Sequence, residues 1–180
     1  MKIIDNFLTK EEHQNIKEIL CGGKFLWNKS TILPSSMFEL DSNYNIQFIH
    51  RFVYVTRNTN NGETIFYNLQ ESEYFYLVKP IIDKINPKEI LRIKGNLTIN
   101  RGMREKTGFH IDVSREVYYS KGLTGVYYVN TNNGATLFET GEQVDSVENR
   151  IVIFPNQLRH STLTHNDTPY RVVINLNWIP

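Results

Sequence analysis

An imidazole and a carboxylate stand two residues apart in the segment Gly108-Phe109-His110-Ile111-Asp112. If this segment is extended, alternate side chains point to one face, so His110 and Asp112 can bind one metal ion together. A motif this short also arises by chance, so it needs companions elsewhere in the chain. We expect His160 and Arg171 to supply them.

The candidate third ligand is His160, which follows Asp112 by 48 residues. Two histidines and one carboxylate leave one face of an octahedral metal open, and this set suits non-haem Fe(II) oxygenases. Zinc accepts the same ligands, so the residue types alone leave the metal undecided. The sequence therefore predicts a metal site made by His110, Asp112 and His160.

The last predicted strand, Tyr170–Ile179, alternates polar and apolar side chains, with Arg171 and Asn177 on its polar face. If that face lines the interior of a barrel, the arginine needs an anion there. A carboxylate that accepts two parallel hydrogen bonds is its natural partner. An internal salt bridge to Asp or Glu is the alternative.

Length and composition limit the class of protein. The chain has 180 residues, 40% of them hydrophobic, and a net charge of +1. We expect one domain over residues 1–180, with no general basic field to attract nucleic acid. Cys21 is the single cysteine, which excludes an internal disulfide. No apolar run approaches a membrane span and the N-terminus lacks a signal-peptide pattern, so we expect a soluble, cytoplasmic protein.

Two N-terminal helices are predicted, mainly within residues 9–22 and 72–86. Thr9 and Glu12 form a capping-box pattern at the start of the first helix. The second helix has apolar residues at helical spacing, although Pro80 falls inside it. Two further histidines are not expected to bind metal: His50 sits among apolar neighbours, and His165 lies in a polar turn that we expect to be exposed.

The rest of the chain predicts strands separated by turns, with residues 57–63 as a loop. From about residue 91 to 180 the pattern is all strand. We therefore predict a mainly β fold, a sandwich or barrel, braced from outside by the N-terminal helices. The predicted strands are Ile46–Thr56, Thr64–Tyr67, a strand beginning at Leu91, Leu123–Asn130, Ala135–Phe138, Arg150–Phe154, Leu158–Thr162 and Tyr170–Ile179.

Several motifs together resemble a known family. The sequence resembles the Fe(II)/2-oxoglutarate-dependent dioxygenases, and most of all their prolyl 4-hydroxylase-type branch. The motifs are His110-x-Asp112, Tyr127-Tyr128-Val129-Asn130, Asn133-Gly134-Ala135-Thr136-Leu137-Phe138, Asn149-Arg150-x-Val152-x-Phe154, His160, Arg171 and Asn177-Trp178-Ile179. Two departures weaken the branch: Asn133 stands where relatives often have glycine, and Arg171 where that branch often has lysine.

The resemblance implies a double-stranded β-helix, a cupin-like jelly roll, with His110, Asp112 and His160 holding Fe(II). It also implies that Arg171 binds the C5 carboxylate of 2-oxoglutarate. Tyr128 is expected to help hold that carboxylate and Thr136 to line the same pocket. Asn100 stands where some relatives carry a cosubstrate-contacting tyrosine, so it is a further candidate for cosubstrate binding, although the replacement puts that contact in doubt.

The implied activity is that of an oxidoreductase, a dioxygenase that hydroxylates a C–H bond. The substrate would be a prolyl residue, another protein side chain or a small molecule such as an amino acid. The cofactors implied are Fe(II), 2-oxoglutarate and O2, with ascorbate as a candidate accessory. Loop cations at Arg104, Lys106 and Arg115 are candidates to meet an acidic substrate.

Three alternatives remain open at this stage. A nucleic-acid demethylating dioxygenase would use the same iron chemistry, although the near-neutral charge gives it no support. A zinc or cupin-like metalloenzyme would not need Arg171. A non-catalytic jelly-roll binding module would not need the three metal ligands.

Overall fold

The structure, a computed structural model, describes residues 1–31, 46–60, 63–112 and 121–180. Strands dominate these residues, as predicted. The strands are β1 (Lys2–Ile4), β2 (Asn28–Thr31), β3 (Ile46–Asn60), β4 (Glu63–Glu71), β5 (Glu89–Ile99), β6 (Leu123–Tyr128), β7 (Ala135–Phe138), β8 (Gln143–Asp145), β9 (Arg150–Pro155), β10 (His160–Leu163) and β11 (Tyr170–Ile179). The helices are α1 (Lys10–Leu20) and α2 (Lys79–Ile85), with a 3-10 turn at Phe75–Leu77 before α2.

Two antiparallel sheets form the body of the protein. The larger has the strand order β1-β9-β6-β11-β5-β3-β2, with β4 paired to β3, and the smaller has the order β10-β7-β8. Neighbouring strands in the large sheet are far apart in sequence, since β11 pairs with both β5 and β6. Such connections between non-consecutive strands are typical of jelly rolls.

The large sheet packs differently on its two faces. On one face, α1 and α2 cover apolar side chains such as Ile93, Ile174 and Leu176. On the other face the small sheet encloses a second, smaller apolar cluster that includes Tyr128 and Phe154. The alternation of side chains along each strand produces this division, and a cavity opens on the second face between the sheets.

The first helix starts where the sequence predicts. The hydroxyl of Thr9 accepts a hydrogen bond from the Glu12 amide at 3.3 Å, and the Glu12 carboxylate accepts one from the Thr9 amide at 2.9 Å. These two bonds form the capping box and satisfy amides that have no partner inside the helix. His13, Ile16 and Leu20 form its buried face.

The prediction for the second helix is wrong over its first half. The expected helix over residues 72–86 begins only at Lys79, after the 3-10 turn. The reason is Pro80, which lies in the first turn of α2, where its missing N–H has no intrahelical acceptor to lose. The apolar face still packs as expected, because Leu77, Val78 and Ile81 are all buried.

Two further expectations about the β-structure need correction. The predicted loop at residues 57–63 is mostly strand, because β3 and β4 remain paired as far as Asn60 and Glu63. The β-core also reaches well before residue 91, since β3 pairs with β5 inside the large sheet. No helix within the described residues is long and apolar enough to cross a membrane.

Candidate metal and cosubstrate site

The three predicted metal ligands meet at one end of the cavity. His110 and His160 face each other across an isolated antiparallel bridge, joined by backbone hydrogen bonds of 2.9 and 3.0 Å. Their ring centroids lie 4.6 Å apart. With Asp112 they offer three ligand atoms that all lie within 4.8 Å of one another. This spacing is compatible with one shared metal ion.

The ring nitrogens of the two histidines are arranged for metal binding. Nδ1 of His110 lies 3.1 Å from the Gly108 carbonyl, and Nδ1 of His160 lies 3.4 Å from the Leu158 carbonyl. A carbonyl partner places the proton on Nδ1 and leaves Nε2 as the free ligand atom. Nε2 of His160 is buried without a hydrogen-bond partner. A buried ring nitrogen without a partner is costly unless a ligand completes it, so the residues fit a metal ion.

Asp112 is oriented by two residues for which sequence reasoning had assigned no role. The Arg92 guanidinium lies 3.0 Å from Oδ2 of Asp112, and the Asn177 amide donates to the same oxygen at 3.4 Å. Arg92 and Asn177 are also bonded to each other, at 3.0 Å. These contacts leave Oδ1 facing His110, whose Nε2 is 3.7 Å away. Both residues lie on the polar face of a strand with alternating polar and apolar residues, and this position is the sequence feature that could have identified them.

Asp112 is held in its ionised form. Burial raises the pKa of its carboxyl group, but the positive charge of Arg92 and the two nearby imidazoles outweigh burial. The net result is a pKa below its ordinary value. A permanently charged carboxylate is the form in which Asp binds a divalent cation.

Arg171 lies in the same cavity and has no anionic partner. Its side chain is 3% exposed, and its Nε donates to the Ser146 hydroxyl at 2.9 Å. No carboxylate of the described residues lies within 4.0 Å of its guanidinium. Burial lowers the pKa of Arg171. The internal salt bridge considered as an alternative is therefore not present among these residues.

Gly134 makes room for this arginine. A Cβ atom at residue 134 would lie 3.0 Å from Cδ of Arg171 and 2.9 Å from the Leu163 carbonyl oxygen. The second distance cannot be relieved by rotating a side chain, because the carbonyl belongs to the backbone. Glycine thus lets the β7 segment approach the arginine closely.

The paired tyrosines of β6 point to opposite faces, as predicted. Tyr128 lies on the cavity side, where its hydroxyl donates to Thr136 at 2.7 Å and its ring centroid lies 5.7 Å from the Arg171 guanidinium carbon. Thr136 itself lines the cavity. Tyr127 faces the helices and donates to Asn149 at 3.1 Å. The structure thus places Tyr128 and Thr136 beside Arg171.

Asn100, the further candidate for a cosubstrate contact, does not line the cavity. Its amide donates to the Thr168 carbonyl at 2.9 Å, and its carbonyl accepts from the Gly102 amide at 2.7 Å. These bonds tie Asn100 to neighbouring loops, because β5 ends at Ile99 and the chain turns away from the cavity. Thr98, two residues earlier, lines the cavity instead.

Several polar atoms around the cavity have no hydrogen-bond partner. Three of them belong to side chains on β5 and β11, and they are Oδ1 of Asn96, Oγ1 of Thr98 and Oδ1 of Asn175. The cavity has a volume of about 120 Å³. Buried polar atoms are normally satisfied, so a group of unsatisfied ones around a cavity indicates a polar ligand.

Two histidines outside the site have different surroundings. His50 contacts the Leu26 carbonyl at 3.0 Å and the Ser72 hydroxyl at 3.1 Å, as expected for a packed histidine. His165 was expected to be exposed, and that expectation is wrong because its side chain is fully buried. The turn that carries it folds inward, near Arg171, and burial lowers the pKa of its imidazole.

Comparison with solved structures identifies the same fold in other proteins. A 2OG-Fe(II) oxygenase family oxidoreductase from Burkholderia pseudomallei matches with a TM-score of 0.62 at 11% identity, over 98% of this chain and 84% of its own. A prolyl hydroxylase from Trichoplax adhaerens, in complex with a hypoxia inducible factor peptide, matches with a TM-score of 0.61 at 14% identity, over 99% and 82%. The predicted double-stranded β-helix fold is thereby confirmed.

A viral enzyme extends this likeness. The viral collagen prolyl hydroxylase of Paramecium Bursaria Chlorella virus-1 matches with a TM-score of 0.55 at 12% identity, over 99% of this chain and 95% of its own. No protein-family model and no curated protein matches the sequence itself. At these identities the comparisons concern the fold, and the chemistry has to be argued from the residues of the site.

Proposed function

We propose that this protein is an Fe(II)- and 2-oxoglutarate-dependent dioxygenase that hydroxylates a C–H bond of a prolyl residue or of another protein or amino-acid substrate. The observation that carries the proposal is Arg171, a buried guanidinium without a carboxylate partner that lines the same cavity as His110, Asp112 and His160. The C5 carboxylate of 2-oxoglutarate is the anion that would complete this guanidinium beside the metal ligands.

Each part of the site has a distinct task in this reaction. His110, Asp112 and His160 would hold the metal by one face. Iron bound together with 2-oxoglutarate and O2 supplies the oxidising chemistry, which consumes the cosubstrate to succinate and CO2 and inserts one oxygen atom into a C–H bond. Arg171 would bind the C5 carboxylate of the cosubstrate through its two terminal nitrogens.

The surrounding residues keep these parts in place. Arg92 and Asn177 occupy Oδ2 of Asp112 and thereby direct Oδ1 toward the histidines. Tyr128 and Thr136 are bonded to each other beside the guanidinium. The apolar residues Val126 and Val173 also line the cavity and would help to exclude water once ligands are bound. Exclusion of water strengthens every charged contact inside.

Two of the structural neighbours support a prolyl or peptide substrate. The Trichoplax structure holds a peptide, and the Chlorella virus enzyme is a collagen prolyl hydroxylase. Both cover almost the whole of this chain. They make peptides that contain proline the first substrates to test.

The decisive measurement is conversion of 2-oxoglutarate to succinate, with its dependence on Fe(II) and O2 and with ascorbate as a supplement. Peptides, amino acids and nucleotides are screened for a mass gain of ~16, the mass of one inserted oxygen. A mass gain on a peptide or amino acid supports the proposal. Oxidation of nucleotides alone would indicate a nucleic-acid demethylase, and iron binding without succinate would indicate a different metalloenzyme.

Variants separate the two halves of the site. We expect His110→Ala to lose metal affinity by at least about tenfold, whereas His50→Asn, a change outside the cavity, keeps it. We expect Arg171→Ala to weaken 2-oxoglutarate binding by about tenfold or more while metal binding remains. Arg159→Ala is the matched control, because Arg159 is exposed and pairs with Glu139. Unchanged 2-oxoglutarate affinity in Arg171→Ala would remove the cosubstrate from the proposal.

A further inference from the structure

A second cation lines the cavity some distance from Arg171. Lys94 lies on β5 directly opposite Asn175 of β11, whereas Arg171 lies opposite Thr98. Four residues of strand separate the two levels, which corresponds to roughly 13 Å between backbone positions. Asn96 and Val173 line the cavity between these levels. The two cations therefore belong to different parts of the cavity.

The ammonium group of Lys94 has no partner among the described residues. It takes part in none of the salt bridges and none of the side-chain hydrogen bonds found there. Its side chain is half-buried. A lysine that is partly withdrawn from water without a counter-ion is unfavourable, and a bound anion would relieve this cost.

The charged groups around Lys94 are mostly positive, which also favours the binding of an anion there. Burial, then repulsion from Arg92 and from Arg51 on β3, lowers the pKa of Lys94 to about 8, while Asp112 acts in the opposite direction. The ammonium therefore stays largely protonated at neutral pH. Asp112 already has the Arg92 guanidinium within 3.0 Å.

A count of charges shows what is left when the proposed ligands are bound. The cavity is lined by three cations, Arg92, Lys94 and Arg171, and by one carboxylate, Asp112. The three cations and one carboxylate leave an excess of two positive charges, and a divalent metal ion bound with a doubly charged 2-oxoglutarate does not change that excess. Arg92 already contacts Asp112, and Arg171 would contact the cosubstrate. Lys94 is then the lining cation to which neither contact supplies an anion.

Asn175 can complete a site for that anion. Its amide nitrogen donates no hydrogen bond within the described residues, and its Oδ1 is buried without a partner. Since the two ends of an amide can exchange places, Asn175 can present its NH2 group to an acceptor beside the Lys94 ammonium. A carboxylate accepts from both at once.

From this geometry we infer that the substrate carries a carboxylate that binds between Lys94 and Asn175. The inference rests on the proposed dioxygenase function and specifies its substrate class. Lys94 lies two residues along β5 from Arg92, which contacts Asp112 at 3.0 Å, so the carboxylate would lie near the metal-binding end of the cavity. The oxidised C–H bond is therefore close to the acid group of the substrate.

The loop cations suggested by the sequence are not part of this site. The Lys106 ammonium lies 4.0 Å from the centroid of the Phe109 ring. Arg104 is exposed, and neither residue lines the cavity. Arg115 lies outside the described residues. The selectivity for an acid is thus assigned to a strand residue inside the cavity.

The test compares acids with their amides on the protein loaded with Mn(II) and 2-oxoglutarate, where binding is measured by calorimetry without turnover. One pair is L-proline and L-prolinamide, for a free acid. The other is acetyl-Pro-Glu-amide and acetyl-Pro-Gln-amide, for an acidic side chain in a peptide. We expect the acid of at least one pair to bind about tenfold or more tightly than its amide. The pair that shows the preference identifies the source of the carboxylate.

Three variants decide whether Lys94 causes the preference. In Lys94→Met, which keeps the length of the side chain without the charge, acid and amide should bind alike. Lys94→Arg should retain the preference, and so should Lys79→Met, a change at an exposed lysine of α2. The preference in the wild type should also shrink at high salt, since it is electrostatic.

The outcomes keep this inference separate from the proposed function. If metal and 2-oxoglutarate bind but acids show no advantage, or no probe binds, the carboxylate site is refuted and the dioxygenase proposal stands. The site is also refuted if the advantage survives in Lys94→Met. If 2-oxoglutarate itself does not bind, the proposed function fails first.

Discussion

The two faces of the strand pair β5 and β11 have opposite chemical character. On the helix side, residues such as Ile93, Ile174 and Leu176 are almost completely buried and belong to the main hydrophobic core. On the cavity side, polar atoms of Thr98 and Asn175 are buried without partners. The apolar side chains of the first face are packed by the protein itself, whereas the unpaired polar atoms of the second face would be completed by the proposed ligands. Stability and function are thus carried by alternate residues of the same strands.

The largest change in stability is expected from a substitution on the helix-side face. Leu176→Ala removes a fully buried side chain from the core and should lower the free energy of unfolding by about 2–5 kcal/mol. Asn175→Ala is the matched change one residue earlier, on the cavity side, and should alter it by less than about 1 kcal/mol. Urea denaturation of both variants measures the difference. Equal losses would show that the cavity face also stabilises the unliganded fold.

Ligands that bind in the cavity should raise the free energy of unfolding by an amount similar to that lost in Leu176→Ala. A metal ion that binds only the folded chain adds about 2.7 kcal/mol at a concentration of 100 times its dissociation constant. The melting temperature should therefore rise when Mn(II) and 2-oxoglutarate are added and fall again with a chelator. His160→Ala should show no such rise. A response of that variant equal to the wild type would place the metal elsewhere.

Removal of one unsatisfied hydroxyl should stabilise the unliganded protein. Thr98→Val replaces a buried hydroxyl without a partner by a methyl group of the same shape, and should raise the free energy of unfolding by about 1 kcal/mol. Thr124→Val is the control with the opposite sign, because the Thr124 hydroxyl donates to Asn156 at 2.6 Å and accepts from Asn177 at 3.0 Å. Thermal denaturation without ligands measures both. A loss of stability in Thr98→Val would show that its hydroxyl is already satisfied.

The smallest effect concerns pH and the helix-side face. Nδ1 of His13 lies 2.7 Å from the Tyr127 hydroxyl, and its Nε2 is buried without a partner. Burial lowers the pKa of His13, the negative charge of Glu148 raises it by less, and the positive charge of Lys17 lowers it slightly further. The unfolded chain therefore binds the proton more readily, and stability falls as the pH drops below the unfolded pKa of about 6.5.

The variant His13→Gln isolates this contribution from other histidines with a lowered pKa. Between pH 7.5 and 5.5 the wild type should lose up to about 1 kcal/mol more stability than His13→Gln. Melting temperatures of the two proteins at both pH values give the comparison. If both proteins lose the same stability between the two pH values, protonation of His13 makes no contribution to the pH dependence of folding.

The local sequence pattern was sufficient to predict much of the fold. Alternation of polar and apolar residues along Tyr170–Ile179 predicted a two-faced strand, and the structure has that strand with those faces. Thr9 and Glu12 predicted the start of α1 correctly. Both signals act within a few residues, which is the range that a sequence pattern reports directly.

Errors occurred where distant contacts override the local pattern. His165 stands in a polar turn and was expected to be exposed, but that turn folds against the buried Arg171. Asn100 continues the spacing of the cavity residues, yet the strand ends before it and its amide bonds to Thr168. In both cases the deciding partner lies more than five residues away or on another segment of the chain.

The order of His110, Asp112, His160 and Arg171, and the chemistry those residue types permit, can be obtained from the amino-acid sequence. Their convergence on one cavity, the support of Asp112 by Arg92 and the isolation of Lys94 depend on strand pairing between residues about 80 positions apart. Such pairing is set by the burial of the whole sheet and not by neighbours along the chain. For that reason the residue types indicate the reaction, and the folded arrangement indicates which substrate group the cavity is built to bind.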